Sequence, residues 1–188
     1  MSPTETPDVI DILTADHREV RALLQEITTA ADPETRRDLA DVVITELVRH
    51  SVAEEMHVYP VMRELLPDGE QAVEHDTEEH QEIERTLKDL EGTKGADPRF
   101  DQLVASLTST LEDHIRDEEA DQFPQLRARV PQERLVEIGE KVEAAKKAAP
   151  TRPHPNAPNS APFHKMVGPG VGLVDRLRDK LSSRATTD

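Results

Sequence analysis

The chain has no cysteine, no tryptophan, one tyrosine and three phenylalanines in 188 residues. The absence of cysteine excludes disulfides, thiolate metal ligands, cysteine-held iron–sulfur clusters and a cysteine nucleophile. With aromatics at 2%, the core must be aliphatic, which suits packed amphipathic helices better than a sandwich or barrel. Basic charge is scarce: 23 Lys and Arg stand against 39 Asp and Glu, for a net charge of −16. Such a chain repels phosphate backbones and anionic lipid, so neither nucleic acid nor a membrane is an expected partner. No apolar run reaches the ~18 residues that span a bilayer, and no early apolar run reads as a signal peptide. A soluble cytoplasmic protein is the expectation.

Helical periodicity is what the sequence does have. Val9, Leu13, Val20, Leu24 and Ile27 make one stripe, predicting a first helix to about Ala30 with Asp8 or Asp11 as its cap. Asp32-Pro33 is a start signal for a second helix to Leu65 or Leu66, with Pro60 loosening its last turn. A third helix is predicted from about Gly69 to Glu91. Asp97-Pro98 repeats the start signal for a fourth, to about Ala128. Gln132–Ala149 reads as a fifth helix packed loosely on the others. Pro150–Pro162 reads as an extended linker, and Val171–Leu181 as a short amphipathic helix. The expected fold is all-α, an up-down-up-down four-helix bundle with a fifth helix (8–149) and a Pro-rich C-terminal tail (150–188).

The two halves repeat each other. Asp16-His17 parallels Glu79-His80, and His50, Glu54, Glu55, Pro60 and Pro67 recur 64 positions on as His114, Glu118, Glu119, Pro124 and Pro131. Polar residues interrupt every apolar seam at comparable depth: His17 in the first helix, His50, Glu54 and His57 in the second, Asp76 and His80 in the third, His114, Glu118 and Asp121 in the fourth. A histidine and a glutamate four apart lie one above the other on a helix and can reach one metal ion, or two neighbouring ones. Any one of these histidines is more economically read as a hydrogen-bonded core residue. The set is not, because its carboxylates have no Lys or Arg at the seam positions, and a buried unpaired charge costs several kcal/mol. Four imidazoles and two bridging carboxylates give each of two cations two nitrogens and two oxygens. Mixed N/O ligation with room for a solvent-derived bridge suits iron or manganese; structural zinc prefers four ligands.

At these residues the chain resembles the hemerythrin-like (HHE cation-binding) family over roughly Val9 to Pro131. The resemblance implies a non-heme di-iron centre, oxo- or hydroxo-bridged, with His17, His50, Glu54, His80, His114 and Glu118 as ligands; manganese or zinc are less suited. The oxygen carriers of the family have His-x-x-x-His in the third helix. Here the residue four before His80 is Asp76, and His75 lies five before. That departure points away from oxygen carriage and towards members associated with peroxide, nitric oxide or iron-centre repair; the cysteine-bearing segment of the repair proteins is absent. His75 is a seventh candidate ligand, one that needs a local π-type widening of the helix to reach the site. His57 is placed at the site's mouth, and Asp76 as a ligand or as the partner of one. Asp16, Glu55, Glu79 and Glu119 read as solvated face, Tyr59 and Phe123 as packing, and His154 and His164 as plain solvated residues. Two functions fit: binding or reduction of O2, H2O2 or NO, or a non-catalytic iron-binding, iron-sensing or metal-storage module acting through a protein partner.

Overall fold

The computed structural model describes residues 6–155. Most of the expected linker Pro150–Pro162, His164 and the C-terminal helix Val171–Leu181 lie outside the described residues. The order is α1 (Val9–Thr29), α2 (Pro33–His57), α3 (Tyr59–Leu65), α4 (Gly69–Glu91), α5 (Pro98–Asp117), a π turn (Glu118–Gln122), α6 (Phe123–Arg129) and α7 (Gln132–Ala148). α2 and α3 are one rod interrupted at Val58, and α5, the π turn and α6 are another. With α1 and α4 they form the four-rod bundle, and α7 packs against α1 and α2. Among the described residues no helix is long and apolar enough to cross a membrane.

Local chemistry sets the helix starts. Asp8 caps α1, accepting from the backbone N–H groups of Ile10 and Asp11, while Asp11 accepts from the Asp8 N–H in return. Both acids predicted as alternative caps therefore act together, as the two halves of a capping box. Asp32 and Asp97 cap α2 and α5, each followed by proline at the first helical position, where its missing N–H has no partner to lose. A capping acid of this kind contributes about 1 kcal/mol.

Prolines also set the interruptions. Pro60 and Pro124 have no N–H to give the carbonyl four residues back. After the first half's histidine–glutamate pair the helix breaks at Val58. After the second the chain widens into a π turn, and the Phe123 N–H bonds the Glu118 carbonyl five residues back. In both places the residue five beyond the glutamate, Tyr59 or Phe123, is buried. The π widening that His75 would need to reach the site is not found in its own helix. α4 runs without one, and the widening lies in the fourth rod. It turns Gln122 inward in place of Asp121, which is exposed.

The interior has three layers. One apolar cluster gathers Val20, Leu24, Ile27, Val43, Ile44, Leu47, Ile83, Leu87, Leu107, Leu111 and Ile115. A second gathers Leu13, Val58, Tyr59, Met62, Val73, Phe123 and Leu126 together with Leu135, Ile138 and Val142 of α7. The buried polar residues His17, His50, Glu54, Asp76, His80, His114 and Glu118 lie on the stretches of chain between them.

α7 is seated closely, not loosely. A Cβ on Gly139 would stand 3.0 Å from the Val9 backbone nitrogen and 3.0 Å from Ile12 Cδ1. Beyond α7, Thr151 is buried, the Arg152 guanidinium pairs with Glu91 at 2.7 Å, and the His154 N–H donates to Glu84 at 2.8 Å. The start of the stretch read as an extended linker lies against the bundle as far as it is described. Gly139→Leu has no room without shifting α1 against α7 and is expected to cost about 1–3 kcal/mol, as overpacking does; urea unfolding measures it.

Candidate metal centre

α1 carries Asp16 and His17; α2 carries His50, Glu54 and Glu55; α4 carries Asp76, Glu79 and His80; α5 and its π turn carry His114, Glu118 and Glu119. His17 and His50 form one pair, ring centroids 5.0 Å apart. His80 and His114 form another, centroids 4.8 Å apart and Nε2 atoms 3.2 Å apart. Two glutamates join the pairs. Glu54 Oε2 lies 3.1 Å from His50 Nε2 and 3.5 Å from His80 Nε2. Glu118 Oε2 lies 3.2 Å from His17 Nε2 and 3.5 Å from His114 Nε2. Each carboxylate reaches one imidazole of each pair, as a bridging ligand must.

The donor atoms fit cations. His17 Nε2, His50 Nε2, both Glu54 oxygens and Glu118 Oε2 are buried and lack a hydrogen-bond partner. An orphaned buried polar atom costs about 1–3 kcal/mol, and native interiors hold few. Here several orphans from different helices face each other. The atoms of His17, His50 and Glu118, and separately those of Glu54, His80 and His114, all lie within 4.8 Å of one another.

The outer face of each imidazole is held by an acid from a neighbouring rod. His17 Nδ1 lies 2.9 Å from Glu119, His50 Nδ1 3.2 Å from Asp16, His80 Nδ1 3.2 Å from Glu55, and His114 Nδ1 2.9 Å from Glu79. Asp16 of α1 serves α2, Glu55 of α2 serves α4, Glu79 of α4 serves α5, and Glu119 beyond α5 serves α1. The four contacts close a ring around the bundle. With Nδ1 donating outward, each Nε2 keeps its lone pair inward, the tautomer a metal requires. The expectation that these four acids are mere solvated face is therefore corrected. Each stands beside a candidate ligand in sequence, but about 100° of helical rotation aims it at the next helix. Their occurrence at matching places in both halves was the signal that could have found them.

Other candidates fall differently. His75 is not brought to the cluster: its side chain is 55% exposed, with Nε2 3.4 Å from Glu79 and 3.8 Å from Asp117. Five residues on a regular helix place it about 140° from His80, so it backs Glu79 from outside. His57 is half-buried and belongs to none of the clusters. Asp76 is fully buried, with Gln122 Nε2 donating to Oδ1 at 2.9 Å and Oδ2 left orphaned; it groups with Glu79 and His114. Phe123 stacks on His17 at 5.9 Å and Tyr59 on His80 at 5.5 Å. Phe123 only packs. Tyr59 does more, for its hydroxyl lies 3.2 Å from both ring nitrogens of His80. A small cavity of about 30 Å³ between α2 and α4, lined by Val48, Ser51, Val52, Ile83 and Leu87, reaches Glu55 and His80. That is room for about one water-sized molecule.

Burial and mutual charge decide protonation in the metal-free protein. Burial opposes a charged His50, but Glu54 and Asp16 outweigh it and hold its pKa well above the usual value. His80 is likewise pushed to about 10, with Glu54 and Glu55 overcoming burial. Burial would raise Glu54, yet His50 and His80 hold it well below the ordinary carboxylate value. Asp76, where burial dominates and Glu118 adds repulsion, rises to about 6. Tyr59 rises well above its usual value through burial and the surrounding acids. Metal-free, His50 and His80 offset Glu54 by carrying protons that a metal would displace.

A helical bundle with histidine–carboxylate clusters across its core defines the class of bundles that carry cation sites inside. The chain belongs to the hemerythrin HHE cation-binding domain family, whose model matches residues 8–126. An uncharacterized hemerythrin-like protein of Schizosaccharomyces pombe is 32% identical over 174 residues, 92% of this chain and 86% of that protein. A continuous match of that length in a chain of 188 contains α7 as well as the bundle. A DNA nickase of Nostoc is 26% identical over 145 residues, 77% of this chain and 41% of the nickase. The chain thus spans about two fifths of the nickase's length. The crystal structure of a hemerythrin HHE cation-binding domain-containing protein from Mycobacterium kansasii has the same fold, with a TM-score of 0.64 at 24% identity, over 75% of this chain and 86% of that one.

Glu55→Ala and Glu119→Ala each free one imidazole and are expected to weaken metal binding about 10–100-fold, read by competition with a chelating dye. In the metal-free protein, stability from His80 is fully present below 6.5 and is lost as pH rises through about 10. Stability from Glu54 is present above 4.5 and is lost as pH falls through its depressed value. Denaturant midpoints of metal-free protein should therefore peak between those limits and fall on the alkaline side.

Proposed function

We propose that the protein holds two iron ions between His17, His50, His80, His114, Glu54 and Glu118 and there binds or reduces a small oxidant or diatomic: O2, H2O2 or NO. The observation that carries the reading is the set of inward, orphaned donor atoms whose outer nitrogens are already committed to acids. Mixed imidazole and carboxylate donors favour iron or manganese over zinc. Bound iron would supply an exchangeable position and a change of oxidation state.

The rest is the work of the chain. The apolar layers on either side keep bulk water from the polar belt. The cavity between α2 and α4 admits molecules of about the size proposed and excludes larger ones. Tyr59 places a hydroxyl over the His80 side, where it can donate to a molecule held there. Asp76, with one oxygen unpaired beside His114, can hold a proton close by. Phe123, in the equivalent place near His17, offers neither, so the two sides differ in what they present to a ligand. The Nostoc nickase lends no support for strand cleavage here, since a net charge of −16 opposes a phosphodiester backbone.

Protein purified aerobically should carry about two irons per chain and an oxidised-iron absorption that dithionite bleaches and O2 or peroxide restores. A colourless, zinc-loaded protein without peroxide turnover would favour the non-catalytic binding or sensing module instead. Glu54→Ala and Glu118→Ala should each lose one or both ions, since each removes a ligand from both positions.

A further inference from the structure

We propose that Lys146, on the accessory helix α7, is a positioning residue for the metal centre and makes its two metal positions unequal. This rests on the two-metal reading above. α7 lies beyond the matched domain of residues 8–126, yet it sends one side chain to the ring of acids around the site. Lys146 Nζ stands 2.7 Å from Asp16 Oδ1 and 2.8 Å from Asp16 Oδ2, with both side chains only 15% exposed. The same Oδ2 lies 3.2 Å from His50 Nδ1. Lysine, aspartate and imidazole form a continuous line from α7 through α1 to α2.

Glu119 and Glu79 are backed differently. Glu119 has Arg21 Nη1 at 3.7 Å, but that guanidinium is already committed to Glu112 at 2.7 and 2.8 Å. Glu79 has His75 Nε2 at 3.4 Å. Asp16 is gripped through both oxygens by a primary ammonium, and a carboxylate gripped that way has one orientation left. That fixes His50, a ligand of the His17 side alone, while His80 and His114 are fixed by Glu55 and Glu79. The grip is itself rigid. Leu135, Ile138, Val142 and Ala145 of α7 are buried against the bundle, and Gly139 allows the backbones to meet. Glu143 Oε1, 3.8 Å from Nζ, is the further acid facing the ammonium on α7.

The test uses full-length protein stripped of metal and titrated anaerobically with Co(II), read by calorimetry and by the visible ligand-field bands. Wild type should bind two ions. Lys146→Met should bind one ion as wild type does and the other about 10-fold or more weakly, the scale on which outer partners of ligating histidines act. Lys146→Arg, which can grip both carboxylate oxygens, should restore the second step. Val142→Ala, which loosens α7 without touching the line, should lower the unfolding midpoint and leave both steps unchanged. The proposal is overturned if Lys146→Met leaves both steps unchanged, if it weakens both equally, or if Val142→Ala reproduces its effect. Wild type that binds fewer than two ions would overturn the two-metal reading itself, a result separable from any effect of Lys146.

Discussion

Everything in this fold bends around one electrostatic constraint: two glutamates and four imidazoles face one another in the middle of a bundle, out of reach of water. Glu54 and Glu118 are 0% and 1% exposed. Charges so placed are tolerated only when compensated. In the metal-free protein part of that compensation comes from within the rods, through protons held on His50 and His80 against Glu54, and bound cations would supply it in their place. The outer acids make the second state accessible, since they hold each imidazole by its far nitrogen and leave the near one free. An apolar core of the same volume would be simpler and more stable. What the polar belt adds is a set of preoriented donors, and that is a functional gain, not a structural one.

The ring of outer contacts explains why the site needs all four rods. Each rod gives one imidazole inward and one acid sideways to the next, so no pair of helices alone completes either group of candidate ligands. The internal repeat is the sequence form of the same fact: two hairpins with matching acids and histidines generate a ring when they pack antiparallel. The repeat is inexact where function asks for difference. Tyr59 answers Phe123, a break at Val58 answers a π turn, and Lys146 enters from outside the repeat on one side only.

Much of this was legible in the sequence. Seam positions His17, His50, Glu54, His80, His114 and Glu118 could be read from helical spacing, because inward residues recur with the helix period and polar interruptions of that period are conspicuous. Helix starts at Asp32-Pro33 and Asp97-Pro98 were legible because capping is local chemistry. The sideways acids were not, since whether a residue one step from the seam meets solvent or the next helix depends on how closely the rods pack. The π turn was not anticipated, for a related reason. His75 invited a widening in α4, but the irregularity follows the missing N–H of Pro124, and with it Gln122 takes the inward place expected for Asp121. The close seating of α7 also escaped, because its apolar stripe is short and Gly139 gives no hint of the backbone it approaches.

Taken together, the belt, its ring of acids and the narrow cavity beside His80 support the proposal of a centre in which two neighbouring cations would share two carboxylates. Anomalous diffraction from iron-loaded crystals tests that claim most directly. Two peaks are predicted, one against His17 and His50 and the other against His80 and His114, with Glu54 and Glu118 touching both and His75 touching neither. A single peak, or a second ion held by His75 or by the exposed acids instead of by the two glutamates, would contradict it.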